Sequence, residues 1–508
     1  MPEAPTLTLS RLLVDSVRRH GERPALRHGA RTASYQELDD LSDRLATTMA
    51  SRGICRGDRV ALQLRNCIEY VVADLAILKA AAVKVPLNEF MTAGEVAWCL
   101  QHSAARVLIS HSSMPRPVGN LDALVLHIDV PDVSGGPPVP GAVPWSDAVD
   151  QPCAPVAVTS DCDDSAIVMY TGGTTGSPKG VRHIQSRAAL NILAHVVSGD
   201  IRSDEVMLLS TPLPHSAGFH LQACFVQGGL VVLGPKFDAR RFLELAAEVH
   251  ATWTFAVPTM LYRLLDAVAA GMSPPRALRT VVYGAAPMDP GRLKQALDVF
   301  GPIFLQLYGQ TECPNFITSL TKEDHLVPGL HASCGRAVPF LEVRLRDGSG
   351  VVDEPGQVGE VEVRSPYQLI EYYDNPEATA AYIVDGWLRT GDLAYRDERG
   401  YVFLVDRAKD MIISGGMNVY SVEVEATIRE HPAVADVGVV GVADRDWGEA
   451  VVAVVVPRSG VDGDDIVRFA RERLSTYKVP KRVVFVDLLP LTRYGKPDKK
   501  AMRAILSR

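Results

Sequence analysis

The sequence predicts an α/β protein, with a large N-terminal domain of parallel-sheet α/β subdomains and a β-rich subdomain, followed by a small α+β C-terminal domain. Three observations predict this class. Up to about residue 340, apolar runs of strand length alternate with stretches of helical spacing, as in crossover units of a parallel sheet. From about residue 341 to 406, strand patterns follow one another with only turns between them. The last hundred or so residues mix helix and strand patterns.

The length of 508 residues also favours more than one domain. We place the boundary after Asp406, which gives an N-terminal domain of residues 1–406 and a C-terminal domain of residues 407–508.

Apolar side chains three and four residues apart mark the predicted helices. In the first helix, Leu9, Leu13 and Val17 fall on one face. The second carries Ser34 and Glu37 in the S-x-x-E pattern of a capping box. The predicted helices are 8–20, 31–51, 67–82, 242–250, 259–269, 421–430 and 464–474.

Short runs rich in Val, Ile, Leu and aromatic residues mark the predicted strands. These are 59–64, 105–110, 166–169, 206–210, 253–257, 280–283, 303–308, 342–346, 359–363, 400–405, 434–442, 450–456 and 482–486. Most strands before residue 310 end in a loop of small or polar residues. Because ligands of open α/β sheets lie beyond the carboxyl ends of the strands, we expect these loops to converge on one site.

Composition narrows the function classes. Hydrophobic residues make up 47% and charged residues 22% of the chain, which is ordinary for a globular enzyme. The net charge of −8 without a basic block gives no indication of a nucleic-acid partner. The eight scattered cysteines form no C-x-x-C pair, which argues against a disulfide framework or a zinc site.

The apolar stretch 71–87 is interrupted by Asp74, Lys79 and Lys84, and residues 1–10 lack a signal pattern. We therefore expect no membrane span and a cytoplasmic location.

Residues 170–180, YTGGTTGSPKG, follow the predicted strand 166–169 and are the strongest candidate for a binding loop. Their glycines let the backbone turn sharply and approach a ligand closely. Backbone N–H groups, hydroxyls and the charge of Lys179 can then converge on an anion. This composition predicts a phosphate-binding loop.

Two other interpretations compete for this loop. A Gly/Thr/Ser cluster after a strand is often only a flexible turn. A P-loop would read G-x-x-x-x-G-K-[ST], but Lys179 follows Pro178 and precedes Gly180. The segment instead resembles the signature loop of the adenylate-forming enzymes, which include acyl- and aryl-CoA ligases, adenylation domains of peptide synthetases and beetle luciferases. It departs at Gly172-Gly173, where the commoner form has Ser-Gly.

Four further segments resemble motifs of the same family, in the same order. They are YGQTE at 308–312, GWLRTGD at 386–392, the stretch 405–425 and PLTRYGKPDKK at 490–500. The resemblance implies that the following residues bind ATP and AMP: Thr171, Gly172, Gly173, Thr174, Thr175, Lys179, Gly284, Ala285, Ala286, Pro287, Tyr308, Gly309, Thr311, Asp392 and Arg407.

The resemblance also implies Mg²⁺ held at Glu312 and Thr171. This suits an ion usually bound by one or two carboxylates together with substrate phosphates. Asp392 is implied to accept both ribose hydroxyls, for which a carboxylate has two acceptor oxygens. An Asp after Thr-Gly is also common in plain Asx turns.

Four residues are implied to be catalytic: Glu312, His215, Lys409 and Lys496. Lys496 would bridge the attacking carboxylate and the α-phosphate, where a positioned cation stabilises the approach of two anions. Lys409 would be the hinge about which a mobile C-terminal domain rotates between two half-reactions. His215, in PLPHSAGF at 212–219, would be the gate imidazole, although a lone histidine near a strand end is more often structural.

The implied acid pocket is mostly small or apolar, as is typical of the wall of a ligand pocket. It consists of His215, Ala217, Phe219, Val257, Gly284, Gly309 and Gln310. Because none of these is acidic, we expect an aromatic or short- to medium-chain aliphatic acid rather than an amino acid. The implied CoA contacts are Gly415, Gly416, Trp447, Tyr477 and Lys481. Trp447 and Tyr477 also suit plain packing of the small domain.

The sequence thus predicts an ATP-dependent carboxylic acid–CoA ligase that uses Mg²⁺ and forms an acyl-AMP before the thioester. One alternative is a stand-alone adenylation enzyme that loads the phosphopantetheine of a carrier protein. A luciferase-like oxygenase and a non-catalytic scaffold are two others, and the presence of Glu312, Asp392 and Lys496 disfavours the scaffold. Whether the protein forms a homodimer is left open by the sequence.

Overall fold

The computed structural model describes residues 6–119, 121–132, 136–171, 178–414, 417–444, 447–492 and 497–506. The site candidates that lie outside these ranges are Gly172, Gly173, Thr174, Thr175, Gly415, Gly416 and Lys496. The chain divides into two compact units, Met1–Glu342 with Arg364–Leu388, and Val343–Val363 with Arg389–Arg508. The domain boundary predicted after Asp406 stays a prediction.

Helices occur throughout the described ranges. They are α1 Leu9–His20, α2 Tyr35–Ser51, α3 Ile68–Lys79, α4 Ala93–His102, α5 Trp145–Ala148, α6 Gln185–Ser198, α7 Gly218–Gln227, α8 Ala239–Glu248, α9 Pro258–Ala269, α10 Pro290–Phe300, α11 Pro376–Tyr382, α12 Ser421–Arg429, α13 Gly463–Arg471 and α14 Lys499–Leu506. A π-helical turn, Leu213–Ala217, precedes α7, and a 3₁₀ turn spans Asp324–Leu326.

The described strands are mostly short. They are β1 Pro24–His28, β2 Arg31–Ser34, β3 Arg59–Gln63, β4 Val83–Pro86, β5 Val107–His111, β6 Leu126–Val130, β7 Val143–Pro144, β8 Ser165–Thr171, β9 Lys179–Ile184, β10 Val206–Leu209, β11 Leu230–Leu233, β12 Trp253–Ala256, β13 Thr280–Gly284, β14 Phe304–Gln310, β15 Cys313–Leu320, β16 Arg336–Ala337, β17 Glu342–Asp347, β18 Gly350–Val352, β19 Gly359–Arg364, β20 Glu371–Tyr372, β21 Ile383–Val384, β22 Trp387–Arg396, β23 Val402–Arg407, β24 Ile412–Ser414, β25 Met417–Val419, β26 Val434–Asp444, β27 Gly448–Pro457 and β28 Arg482–Phe485.

Two sheets of the first unit are parallel over most of their width; the nine-stranded sheet has antiparallel strands at both edges and the eight-stranded sheet at one edge. The nine-stranded sheet has the order β16-β15-β14-β13-β12-β10-β11-β1-β2 and is parallel from β14 to β1. The eight-stranded sheet has the order β20-β9-β8-β4-β3-β5-β6-β7 and is parallel from β8 to β7. The predicted parallel-sheet α/β class is confirmed.

The central strands bury apolar side chains on both faces, because successive residues point to opposite sides of a sheet. In β10, Met207 and Leu209 join a core cluster with α1, α2, α3, α6 and α7, whereas Leu208 joins a cluster with α8, α9 and α10. In β3, Val60 joins the first cluster and Ala61 joins a third cluster with α4. The first unit therefore has helices between its two sheets and on the outer face of each.

The second unit contains a β-rich part and a small α+β part. In the β-rich part, β18, β17, β19 and β22 lie side by side in that order, and β23 pairs with β22. In the α+β part the order is β25-β24-β27-β26, with β28 parallel to β27. Helices α12 and α13 pack on one face of that sheet, and Met502 of α14 packs on the other.

The start of α2 differs from the prediction. Ser34 accepts a hydrogen bond from the Glu37 N–H at 3.1 Å, as an N-cap does. The reciprocal half of the predicted capping box is not formed, because the Glu37 carboxylate accepts from Arg31 at 2.7 Å. Since Arg31 lies in β2, antiparallel to β1, the helix predicted from residue 31 begins only at Tyr35.

The prediction also lacked several described elements, among them the strands β6, β9, β11 and β15 and the helices α6, α7 and α10. The sequence pattern between residues 67 and 105 predicted one helix, but β4 and α4 follow α3 there. The strand predicted at 303–308 continues through Gly309 to Gln310 as part of β14. Finally, no helix within the described part of the chain is long and apolar enough to cross a bilayer.

Candidate active site

The predicted phosphate loop begins and ends on neighbouring antiparallel strands. Thr171 at the end of β8 lies opposite Lys179 at the start of β9, and its hydroxyl donates to the Lys179 carbonyl at 3.4 Å. The next residue, Gly180, is closely packed, because a Cβ there would lie 3.0 Å from Val168 and 3.2 Å from the Tyr170 ring. The hairpin thus fixes the positions of Thr171 and Lys179 relative to each other.

Two tyrosine rings hold the ammonium group of Lys179. Its Nζ lies 5.1 Å from the ring centroid of Tyr372 and 4.8 Å from that of Tyr382. The two rings meet edge to face, with centroids 5.4 Å apart. Contacts of this kind stabilise a cation by about 0.5–2 kcal/mol, depending on its exposure. Neither tyrosine was among the predicted site residues.

The same Tyr372 also contacts Glu312, the predicted metal ligand. Its hydroxyl donates to Glu312 Oε1 at 2.7 Å. Burial raises the pKa of Tyr372, and the Glu312 charge raises it further, so the phenol keeps its proton and remains a donor. Among the described residues, this hydrogen bond occupies one carboxylate oxygen and leaves Oε2 without a protein partner. The structure therefore places Thr171, Lys179 and Glu312 in one corner of the first unit.

The turn that carries Thr311 and Glu312 is held from two sides. The Leu369 N–H donates to the Glu312 carbonyl at 2.7 Å. His183 in β9 lies with Nε2 2.9 Å from the Thr311 carbonyl. Burial lowers the pKa of His183 to about 4, so its ring is neutral and Nε2–H donates. Sequence patterns did not indicate His183, because its partner lies 128 positions away.

Close backbone packing explains the glycine of the YGQTE segment. A Cβ on Gly309 would lie 2.6 Å from backbone atoms of Asn315, so only glycine fits there. Asn315 itself has φ 64°, a left-handed conformation that asparagine tolerates better than most residues. Tyr308 is buried, whereas Gln310 is partly buried with its Nε2 lacking a partner among the described residues.

Asn315 is the centre of a buried polar network that the sequence analysis missed. Its amide Nδ2 lies 2.8 Å from His195 Nε2, and its Oδ1 accepts from the Ser216 hydroxyl at 2.7 Å. His195 Nδ1 donates to the Asn191 carbonyl at 2.7 Å, which leaves Nε2 as the acceptor. Burial lowers the pKa of His195 to about 4, consistent with a neutral ring. The one signal that the sequence offered was that these polar residues stand within mostly apolar stretches.

The predicted gate residue His215 lies in the π-helical turn before α7. Its Nε2 contacts the amide Nδ2 of the buried Asn88. Ala217 is buried in the same turn, and the Phe219 ring stacks on His195 with centroids 5.7 Å apart. Val257 precedes α9 as its N-cap residue. The turn therefore joins the Asn315 network through Ser216, and Phe219 of the following α7 packs on its histidine.

The turn after β13 carries the remaining predicted nucleotide residues of the first unit. Gly284 is the last residue of β13, and Ala285 has φ 64°. A non-glycine residue in this region costs about 1–3 kcal/mol and is often found at ligand sites. Ala286 is partly buried, and Pro287 is exposed beside it.

In the second unit, Asp392 and Arg407 face each other across β22 and β23. Arg407 Nε lies 3.0 Å from Asp392 Oδ1, and the carboxylate is mostly buried while about half of the arginine side chain is exposed. Asp392 lies inside a ten-residue strand and not in a turn. Burial lowers the pKa of the nearby Lys409, and the positive charge of Arg407 lowers it further.

The predicted CoA contacts that the structure describes divide into two groups. Lys481 Nζ lies 4.1 Å from the ring centroid of Trp447, whose side chain is exposed. Tyr477 is partly buried and packs against the apolar cluster of the small domain. The neighbouring Lys478 pairs with Glu423 at 2.6 Å.

The corner around Tyr372 has the chemistry needed to bind a polyphosphate. A lysine and a threonine hydroxyl suit phosphate oxygens, and a carboxylate beside them suits the accompanying cation. Within the described ranges, no group of three or more His, Cys, Asp or Glu side chains is arranged to hold a metal ion. A lone carboxylate fits Mg²⁺, which is bound largely by phosphates and water.

Comparisons with known proteins cover nearly the whole chain. The family model described as AMP-binding enzyme matches residues 13–373, and that described as AMP-binding enzyme C-terminal domain matches residues 423–496. The medium/long-chain-fatty-acid–CoA ligase FadD8 of Mycobacterium tuberculosis is 37% identical over 511 residues, covering 97% of this chain and 89% of that protein. A feruloyl-CoA synthase of Amycolatopsis sp is 36% identical over 484 residues, covering 94% and 95%. Among solved structures, the amide bond synthetase McbA from Marinactinospora thermotolerans matches with a TM-score of 0.86 at 33% identity, covering 98% of this chain and 99% of that one.

Proposed function

The chain belongs to the AMP-binding enzyme family, and on that premise we propose that it is an ATP-dependent carboxylic acid–CoA ligase. It joins the acid to AMP with release of pyrophosphate, then transfers the acyl group to the CoA thiol with release of AMP. Relatives named as CoA ligases of fatty and feruloyl acids support this reaction. We propose an aromatic or short- to medium-chain aliphatic acid, because the predicted pocket is mostly small or apolar.

In the first step, a carboxylate oxygen attacks the α-phosphorus and the bond to the pyrophosphate oxygen breaks. We assign Lys179 and Thr171 to the polyphosphate and Asp392 to the ribose hydroxyls. The remaining barrier is the approach of two anions, and we assign Lys496 as the cation that lowers it.

In the second step, the CoA sulfur attacks the acyl carbon and the carbon–oxygen bond to AMP breaks. We assign His215 to the entrance of the acid pocket and Gly415-Gly416 to the passage of the pantetheine arm. Trp447 and Lys481 would contact the nucleotide end of CoA, where an exposed indole with a nearby ammonium suits an adenine and a phosphate.

Mg²⁺ is part of the proposal and would be held by Glu312, with Thr171 nearby. When bound, it would neutralise charge on the phosphates. The chain's own contribution is to orient the carboxylate, and the Tyr372 hydroxyl does so through Oε1. The cytoplasmic location and the homodimer stay predictions.

The observation that carries the proposal is that Lys179 and Glu312 contact the same tyrosine. A cation, a hydroxyl and a carboxylate thereby lie close together next to the β8–β9 hairpin, which supports MgATP binding there.

Production of acyl-CoA from a panel of aryl and aliphatic acids, with MgATP and with or without CoA, tests the proposal. Acyl-CoA and AMP that appear only with CoA would support the ligase and name the acid class. An acyl-adenylate that CoA does not discharge would refute the CoA acceptor. The acyl acceptor would then be sought among carrier proteins and amines. Amines are included because a solved structure of similar fold is named as an amide bond synthetase.

A further inference from the structure

The hydroxyl and ring of Tyr372 contact two groups of opposite charge. The ring faces the Lys179 ammonium at 5.1 Å, and the hydroxyl donates to Glu312 at 2.7 Å. Within the described part of the chain, Lys179 and Glu312 form no ion pair with each other. A lysine and a carboxylate this close to one side chain would ordinarily pair, because opposite charges attract strongly at a partly buried site.

Neighbouring backbone contacts fix the position of Tyr372. It lies in β20, where it pairs with Val181 of β9, and the following Tyr373 N–H donates to the Gly180 carbonyl at 2.7 Å. The Tyr372 N–H donates to the Thr379 hydroxyl at 2.9 Å, which anchors the strand to α11. The hydroxyl therefore reaches Glu312 from the strand that borders the phosphate-loop hairpin.

We propose that Tyr372 is a positioning residue that keeps Lys179 and Glu312 close but unpaired, so that each is free for its own ligand. The inference rests on the proposed function, in which Lys179 binds phosphate and Glu312 binds the metal ion. The ring of Tyr372, together with that of Tyr382, stabilises the lysine without neutralising it. The hydroxyl fixes Oε1 of Glu312 and leaves Oε2 available to the cation.

A purely structural role for Tyr372 makes a different prediction. As a core residue, it would contribute through its buried ring, and loss of the hydroxyl would change stability alone. As a positioning residue, its hydroxyl controls metal affinity, because partners that orient a ligating carboxylate change metal affinity by about 10–100-fold. The substitution Tyr372→Phe separates the two roles, since it removes only the hydroxyl.

The test measures Mn²⁺ binding to the full-length protein in the presence of ATP, by electron paramagnetic resonance of the free ion. For Tyr372→Phe we expect the dissociation constant of Mn²⁺ to rise about 10–100-fold. For Tyr382→Leu, which removes a ring from Lys179, we expect ATP affinity to fall about two- to fivefold while Mn²⁺ affinity is retained. The Michaelis constant for MgATP should rise in both variants, and more in Tyr372→Phe than in Tyr382→Leu.

Tyr35→Phe is the matched control. The Tyr35 hydroxyl is also buried and donates at 2.7 Å, but to the Gly229 carbonyl, so its loss affects stability without touching the site. The inference is overturned if Tyr372→Phe binds Mn²⁺ as well as Tyr35→Phe does, with the unsubstituted protein binding normally. Failure of the unsubstituted protein to bind Mn²⁺ with ATP would overturn the proposed function as well.

Discussion

Replacement of Asn315 tests the buried network that joins the YGQTE segment to the turn of His215. The amide donates to the buried His195 Nε2 at 2.8 Å and accepts from Ser216 at 2.7 Å. In Asn315→Ala, the histidine nitrogen loses its donor, which costs about 1–3 kcal/mol. Alanine at φ 64° costs about 1–2 kcal/mol more.

We therefore expect Asn315→Ala to lower the free energy of unfolding by about 2–5 kcal/mol, measured by urea unfolding near neutral pH. Asn315→Gly loses the same hydrogen bonds but fits the left-handed backbone, so it should cost about 1 kcal/mol less. A loss below about 0.5 kcal/mol for alanine, which is the range of a neutral surface change, would refute the reasoning. So would a glycine variant less stable than the alanine variant.

Three other predictions follow from the described site and the proposed mechanism. Because the pKa values of His183 and His195 are lowered to about 4 from 6.5, the unfolded chain binds more protons between these pH values. Stability should fall as the pH is lowered from 6.5 toward 4, by up to about 3 kcal/mol per histidine, and a flat urea-unfolding profile would contradict this. Asp392→Asn breaks an ion pair with the half-exposed Arg407, and we expect a change in stability of about 1 kcal/mol. It should weaken ATP binding about 10–100-fold, measured by calorimetry, if its carboxylate binds the ribose. Lys496→Ala should slow acyl-AMP formation by about 10²–10³-fold while a supplied acyl-adenylate is still converted to thioester, and equal losses in both half-reactions would argue against its assignment to the first step.

The sheets could be predicted from sequence where strands are buried on both faces. Strand β10 is a continuous apolar run and was predicted, and β12 was predicted although Thr254 interrupts its run; β11, Leu230–Leu233, is an equally apolar run that the sequence analysis missed. Strand β4 was missed because two of its four residues are Lys84 and Pro86. Lys84 is nonetheless buried, since Asp74 of α3 pairs with it at 2.7 Å. That partner is visible only in the folded chain.

In the candidate site, too, local sequence revealed the motif residues but not their distant partners. Motif residues such as Lys179 and Glu312 could be proposed from local sequence, because the loop and the YGQTE segment have recognisable composition. Their shared partner Tyr372 could not, since 60 positions separate it from Glu312. The Asn315–His195 contact spans 120 positions. Side chains that orient a site are set by tertiary packing, and no spacing rule in the sequence reveals them.

The path of one oxygen atom tests the central claim most directly. An acid labelled with ¹⁸O in its carboxylate is incubated with the protein, MgATP and CoA, and the products are analysed by mass. If an acyl-adenylate forms and the thiol then displaces AMP at carbon, the AMP gains one ¹⁸O atom as acyl-CoA appears. Formation of acyl-CoA with unlabelled AMP, or with ADP in place of AMP, would contradict the account.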